Sequence, residues 1–204
     1  MTPLLFSTIE VTRQVFYHTS LSYAIVNLKP IVPGRKLKCY WSSILVLTIL
    51  QYCIPLLSKD VLVCPIRPAQ RLADLDTAEL TSLITSVQNI GQVIERVYGA
   101  DGLTIACQDG KAAGQTIPHV HFHLLPRKHK GDRFSINKDD VYPALERAEG
   151  EQPQDIAASN VPGGQEPLRV DADEDRVPRS MEEMEKEAKW LRSFFEEQAQ
   201  LMQS

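Results

Sequence analysis

Hydrophobic positions along the chain switch between two periods. Residues 15–34 read as two short strands: "SYAIVNL" is rich in β-formers, and Pro30, Pro33 and Gly34 mark a turn. A further apolar strand, "DVLVCPI", follows at 60–66. The period then changes. Leu80, Leu83, Ile84, Val87, Ile90, Val93, Ile94 and Val97 recur at helical spacing, which predicts a helix over about 77–98. Asp76 with Glu79 fits a capping box at its start, and Gly99 supplies the stop. Short apolar runs return in "GLTIACQDG" (102–110), a strand and a turn, and in "IPHVHFHLLP" (117–126), a strand closed by Pro126.

Apolar content falls after residue 128, and acids and prolines accumulate. Residues 148–179 cannot bury much surface and are expected to be a disordered linker. A last helix is expected over 180–201, opened by a Ser180–Glu183 capping box. Met181, Met184, Ala188, Leu191 and Phe195 form its apolar stripe, which should dock on the domain.

Residues 35–59 break the pattern. Cys39 to Leu57 carries no charge over 19 residues, which meets the length criterion for a membrane span. Ser42, Ser43, Gln51 and Pro55 dilute it, and a span here would separate strands that should pair. Codons available for Arg35-Lys36 and Lys59-Asp60 can hold an intron's donor and acceptor signals. Removing the segment between them joins C to AC and leaves one histidine codon, giving "IVPGHVLVCPIRP". The segment is therefore read first as a translated intron, then as a loop insertion, and last as a membrane span. Genomic DNA lacking GT after the first base of codon 35, or AG before the second base of codon 60, sinks the first reading.

Composition adds limits. The chain has 204 residues, 43% hydrophobic and 24% charged, which suits one compact domain with polar extra sequence. A net charge of −4 gives no field for nucleic acid. Cys39, Cys53, Cys64 and Cys107 form no C-x-x-C pair, so neither a zinc ribbon nor a disulfide framework is expected. The N-terminus lacks the pattern of a signal peptide. The expected location is the cytoplasm, with the nucleus as a second compartment, and no membrane partner is expected.

Three of the five histidines sit at alternate positions: His119, His121 and His123. In a strand they share one face, with the outer pair roughly 13 Å apart, while Val120, Phe122 and Leu124 face the core. Zinc lies about 2.0–2.1 Å from each histidine nitrogen, so a straight strand strains to bring three to one ion. No bound zinc is expected. A solvated histidine run would need no organised flanks, yet a Gly-Gln-Thr segment and a Pro-Arg turn enclose this one. Catalysis suits the layout better. A neutral imidazole is a good nucleophile toward phosphorus when its second nitrogen is held by a hydrogen bond.

"HVHFHLL" resembles the His-x-His-x-His-x-x motif of the histidine triad superfamily of nucleotide hydrolases and transferases. "SYAIVNLKPIVPG", "VLVCPIRPAQRLADL", "QDGKAAGQTIPHVHFHLLPRK" and "EEMEKEAKWLRSFF" resemble its fragile-histidine-triad branch, the fungal members most. The resemblance covers about residues 3–34, 60–147 and 178–198. It implies an α+β fold: an antiparallel sheet of about five strands packed with a long helix and a C-terminal helix, with 1–147 as the domain.

The resemblance also implies an activity. Diadenosine triphosphate would be cleaved to AMP and ADP through a nucleotidyl-histidine at His121. His119 and His123 would orient the nucleophile and contact phosphate. Gln115, with the backbone of Gly114, Thr116 and Ile117, would hold phosphates, and Asn27 and Gln108 would contact ribose and substrate. Read from sequence alone, Asn27 is equally a turn residue and Gln108 a hairpin flank. A divalent cation, Mg²⁺ or Mn²⁺, would accompany the polyphosphate without being bound by the histidines. A homodimer with one continuous antiparallel sheet is implied as well. Two other readings stand beside this one: a triad phosphoramidase, and a nucleotide-binding signalling protein with slow turnover. One departure matters. The family carries a histidine after "PG", whereas Arg35 follows Gly34 here. His18 and His129 match no motif and are read as surface residues.

Overall fold

In a computed structural model, residues 3–27, 60–147 and 179–201 are described. The 35–59 stretch and the 148–178 linker region lie outside them, and so do the readings given to those segments.

A two-stranded hairpin comes first, β1 (Leu5–Phe6) and β2 (Ile9–Glu10). The main sheet follows: β3 (Val15–His18), β4 (Ser22–Val26), β5 (Val61–Pro65), β6 (Gly102–Ala106) and β7 (Phe122–Arg127). All neighbouring strands are antiparallel, in the order β3-β4-β5-β7-β6. Helix α1 is Thr77–Tyr98, α2 spans 141–147, and α3 is Met181–Leu201. The α+β fold expected from sequence is thus present.

Strand alternation sorts the core into two sides. Ala24, Val26, Val61, Val63 and Leu124 point to one face and pack with Leu83, Val87, Ile90 and Ile94 of α1. Met184, Ala188 and Leu191 of α3 join the same cluster, so the stripe read on that helix is buried there. Tyr23, Ile25, Leu62 and Cys64 point to the opposite face, where Phe6, Val11 and Ile117 cover them. β4 and β5 are buried at every position, which is why their sequences run apolar rather than alternating.

The capping box of α1 forms in both directions. Glu79 N–H donates to Asp76 Oδ1 at 2.8 Å, and Asp76 N–H to Glu79 Oε2 at 3.0 Å. Gly99 ends the helix in the left-handed region at φ 56°. Three residues of the predicted stripe are not in the core, and Val97 among them is half-buried. Ile84 is 47% exposed and Leu80 39% exposed. Ile84 lies about 100° around the helix from Leu83, beyond the face that meets the sheet.

The last strand also differs from expectation. β7 begins at Phe122 rather than 117, and Pro126 lies within it rather than closing it. Val120 N–H donates instead to Ala69 O at 2.7 Å, and His119 N–H to Ile117 O at 2.8 Å. The first bond ties residues 117–121 to the loop after β5, and the second turns the segment back on itself.

Candidate active site

Only His123 lies in the regular strand. It sits opposite Leu62 of β5 and Ala106 of β6, so its side chain is on the face away from α1. His119 and His121 precede the strand, yet the three imidazoles remain together. The His121 and His123 rings are 5.0 Å apart, and Phe6 lies 5.5 Å from the His119 ring and 5.1 Å from the His121 ring. All three histidines are buried.

Each ring has a distinct setting. His119 Nδ1 accepts from Ser7 N–H at 3.0 Å, and its Nε2–H donates to Pro65 O at 3.0 Å. Both nitrogens are therefore engaged by backbone, one as acceptor and one as donor, which fixes a neutral tautomer. Burial pushes its proton affinity down to about 4; the bond to Pro65 opposes this, and His121 adds to it. Backbone groups on two sides thus hold the His119 ring in place. What His119 offers the site is its main chain: His121 Nδ1–H donates to His119 O at 2.8 Å. With Nδ1 as donor, the in-plane lone pair of His121 is on Nε2. That is the arrangement a nucleophilic imidazole needs.

The supporting hairpin was not anticipated from sequence. Its two-residue turn, Ser7-Thr8, puts Ser7 at φ 58°, an uncommon conformation for a residue with a side chain. That conformation aims the Ser7 N–H at His119. Tyr23 OH donates to Leu5 O at 3.0 Å and anchors the hairpin to β4.

The Gly-Gln-Thr segment is shaped by its own side chains. Gln115 Oε1 accepts from Gly110 N–H at 2.9 Å, and its Nε2 donates to Gln70 O at 2.8 Å. Gln115 thus ties the loop after β6 to the loop after β5. Asp109 does the same from outside, accepting from Arg71 Nε at 2.8 Å and Leu72 N–H at 3.0 Å. Arg71 accordingly holds the Asp109 carboxyl below its usual range. Gly114 has φ 90°, and a Cβ there would come within 2.5 Å of Gln108 Nε2. Only glycine fits. Gln108 Oε1 is buried and accepts no hydrogen bond among the described residues. A buried acceptor left in this state is uncommon in a folded protein. Thr116 is exposed, whereas Ile117 is buried against the Tyr23–Leu62 side of the core. His18 and His129 are exposed, as expected of surface residues.

Asn27 is brought to the triad, and the agent is a residue that sequence did not single out. Asp60 directly precedes β5, where removal of 35–59 would place the restored histidine. Asn27 Nδ2 donates to Asp60 Oδ2 at 2.8 Å, and Asp60 Oδ1 lies 3.5 Å from His123 Nδ1. A buried acid before an apolar strand carries no motif by which sequence could mark it.

Among the described residues, no group of three or more His, Cys, Asp or Glu side chains is arranged to hold a metal ion. No helix among them is long and apolar enough to cross a membrane.

The HIT domain family model matches residues 54–130. A bis(5'-nucleosyl)-tetraphosphatase (asymmetrical) of Schizosaccharomyces pombe is 45% identical over 202 residues, covering 96% of each chain. A bis(5'-adenosyl)-triphosphatase of Dictyostelium discoideum is 37% identical, over 90% of this chain and 87% of its own. Among solved structures, the Plasmodium falciparum diadenosine triphosphate hydrolase is similar with a TM-score of 0.60 and 23% identity, over 97% of this chain and 86% of that one.

Proposed function

The chain belongs to the HIT domain family, and from that premise we propose that it hydrolyses diadenosine triphosphate and related dinucleoside polyphosphates to two nucleotides. The relatives named above act, by their names, on such substrates. The observation that supports the reading is the His121 Nδ1–H bond to the His119 carbonyl, which leaves the ring's in-plane lone pair on Nε2, the nitrogen proposed to attack.

The proposed reaction has two steps. His121 Nε2 attacks the phosphorus of one terminal nucleotide unit. An N–P bond forms, and the P–O bond to the departing nucleoside diphosphate breaks. Water then attacks the same phosphorus, the N–P bond breaks, and AMP leaves with the water's oxygen. One water proton ends on solvent or on the phosphate products. Gln108 Oε1 and Asn27 are proposed to meet ribose and substrate, and the backbone of Gly114 to Ile117 to meet phosphate oxygens. His123 neighbours His121 and is proposed to donate a hydrogen bond to a phosphate oxygen.

The imidazoles around the site do not suit a resident ion, since His119 has both nitrogens committed. Mg²⁺ or Mn²⁺ is therefore proposed to arrive on the polyphosphate, where it would offset phosphate charge. A homodimer is proposed through the open edge of β6, where Ile105 is 50% exposed and lacks a strand partner on its outer side among the described residues.

The test incubates the 204-residue protein with diadenosine triphosphate and, separately, tetraphosphate in the presence of Mg²⁺. Release of AMP with ADP from the triphosphate is expected. Absence of any nucleotide release from either substrate rejects the reading. The two relatives' names differ in phosphate number, so the comparison of rates also sets the preferred chain length.

A further inference from the structure

Asp60 is fully buried, and so is His123 beside it. A carboxylate at that depth is costly unless its oxygens are matched. Oδ2 accepts from Asn27 Nδ2 at 2.8 Å, and the Asp60 carbonyl accepts from Asn27 N–H at 3.2 Å. Oδ1 accepts no hydrogen bond among the described residues and faces His123 Nδ1 at 3.5 Å. A small closure of that gap would satisfy it. Other titratable groups lie near His123 among the described residues, and Tyr23 and Cys64 share its side of the sheet. His121 is a neighbouring ring at 5.0 Å. Arg179, just before α3, reaches the Asn27 carbonyl at 3.4 Å and is paired with Glu187. β6 and β5 set uncharged Ala106 and Leu62 across from His123.

We propose that Asp60 is a positioning residue that fixes the Nδ1–H tautomer of His123, holds Nε2 as the nitrogen facing substrate, and keeps Asn27 beside it. A carboxylate next to Nδ1 favours the doubly protonated ring as well. Nε2–H then becomes a charge-assisted donor to a phosphate oxygen while His121 attacks. The resemblance implies a histidine at this place. A carboxylate there changes which proton His123 carries, so the chain as written sets its third histidine by an acid–imidazole pair. What His123 meets rests on the hydrolase reading; the pairing itself does not.

The test is nitrogen NMR of the full-length protein with labelled histidine, His123 being assigned by loss of its signals in His123→Ala. Nδ1 should carry a proton at neutral pH. In Asp60→Asn the proton should leave His123 at least about one pH unit lower, a tenfold change in affinity, while His119 signals stay put. An unprotonated Nδ1 in the wild type overturns the proposal, even if Asp60→Asn does not fold. An unmoved titration in a folded Asp60→Asn overturns it too. Turnover of diadenosine triphosphate is followed in parallel. No turnover with Nδ1 protonated removes the hydrolase reading and keeps the pair. Turnover with Nδ1 unprotonated does the reverse.

Discussion

At the residue scale, two of the three histidines differ in what their nitrogens can do. His119 commits both to backbone, whereas His121 commits Nδ1 to the His119 carbonyl. The consequence for stability has a sign. His119 binds its proton near pH 4 in the fold and near 6.5 when unfolded. Between those values the unfolded chain holds more protons, so stability rises with pH across the window and is lost as pH falls through it. The contribution is at most about 3 kcal/mol. Urea unfolding from pH 4 to 7 should show this slope in the wild type and a shallower one in His119→Asn. Equal slopes would contradict a buried neutral imidazole at His119. For catalysis, His121→Asn should lower kcat by about three orders of magnitude or more, because no side-chain nucleophile then remains in place. Steady-state assays on diadenosine triphosphate check it.

At the scale of elements, helix α1 was legible almost to the residue, because a capping box, an apolar stripe and a left-handed glycine all agree there. The strands were legible as apolar runs. The start of β7 was not: "IPHVH" has strand composition, but Val120 N–H bonds to loop residue Ala69 and His119 N–H back to Ile117. Such pairings leave no local trace. The same holds for Ser7, Phe6 and Asp60, which reach the triad from distant parts of the chain. The triad and Gly114-Gln115 were readable as a motif; what holds them in place was not. Helix α3 makes a testable case. Its Glu187 is buried, accepts from Tyr98 OH at 2.7 Å and is ion-paired with Arg179. Burial, with Glu187 adding to it, keeps the Tyr98 hydroxyl protonated well beyond its ordinary range. Glu187→Ala leaves a buried guanidinium and a buried hydroxyl without this acceptor. It should cost about 3–5 kcal/mol, read as a fall in the urea midpoint, with Glu187→Gln costing less.

For the whole molecule, the two ends of the sheet differ among the described residues. α3 packs along β3, while β6 ends the sheet at the other side. With the proposed homodimer, Ile105→Lys on β6 should shift sedimentation velocity from dimer to monomer; an unchanged sedimentation coefficient would contradict a dimer contact at β6. The chain's own departure from its family is settled in the same way. A form lacking 35–59, with histidine at the junction, should turn over diadenosine triphosphate faster than the 204-residue form, and equal low activity in both would count against the hydrolase. At the centre of the proposed chemistry, His121 itself bonds to phosphorus. Its most direct test mixes enzyme with diadenosine triphosphate, quenches within the first turnovers in alkaline denaturant, which spares phosphohistidine bonds, and weighs the intact protein and its peptides. One adenylyl group on His121 is predicted, absent in His121→Asn. Full turnover with His121 unmodified, or with the group on another residue, would contradict it.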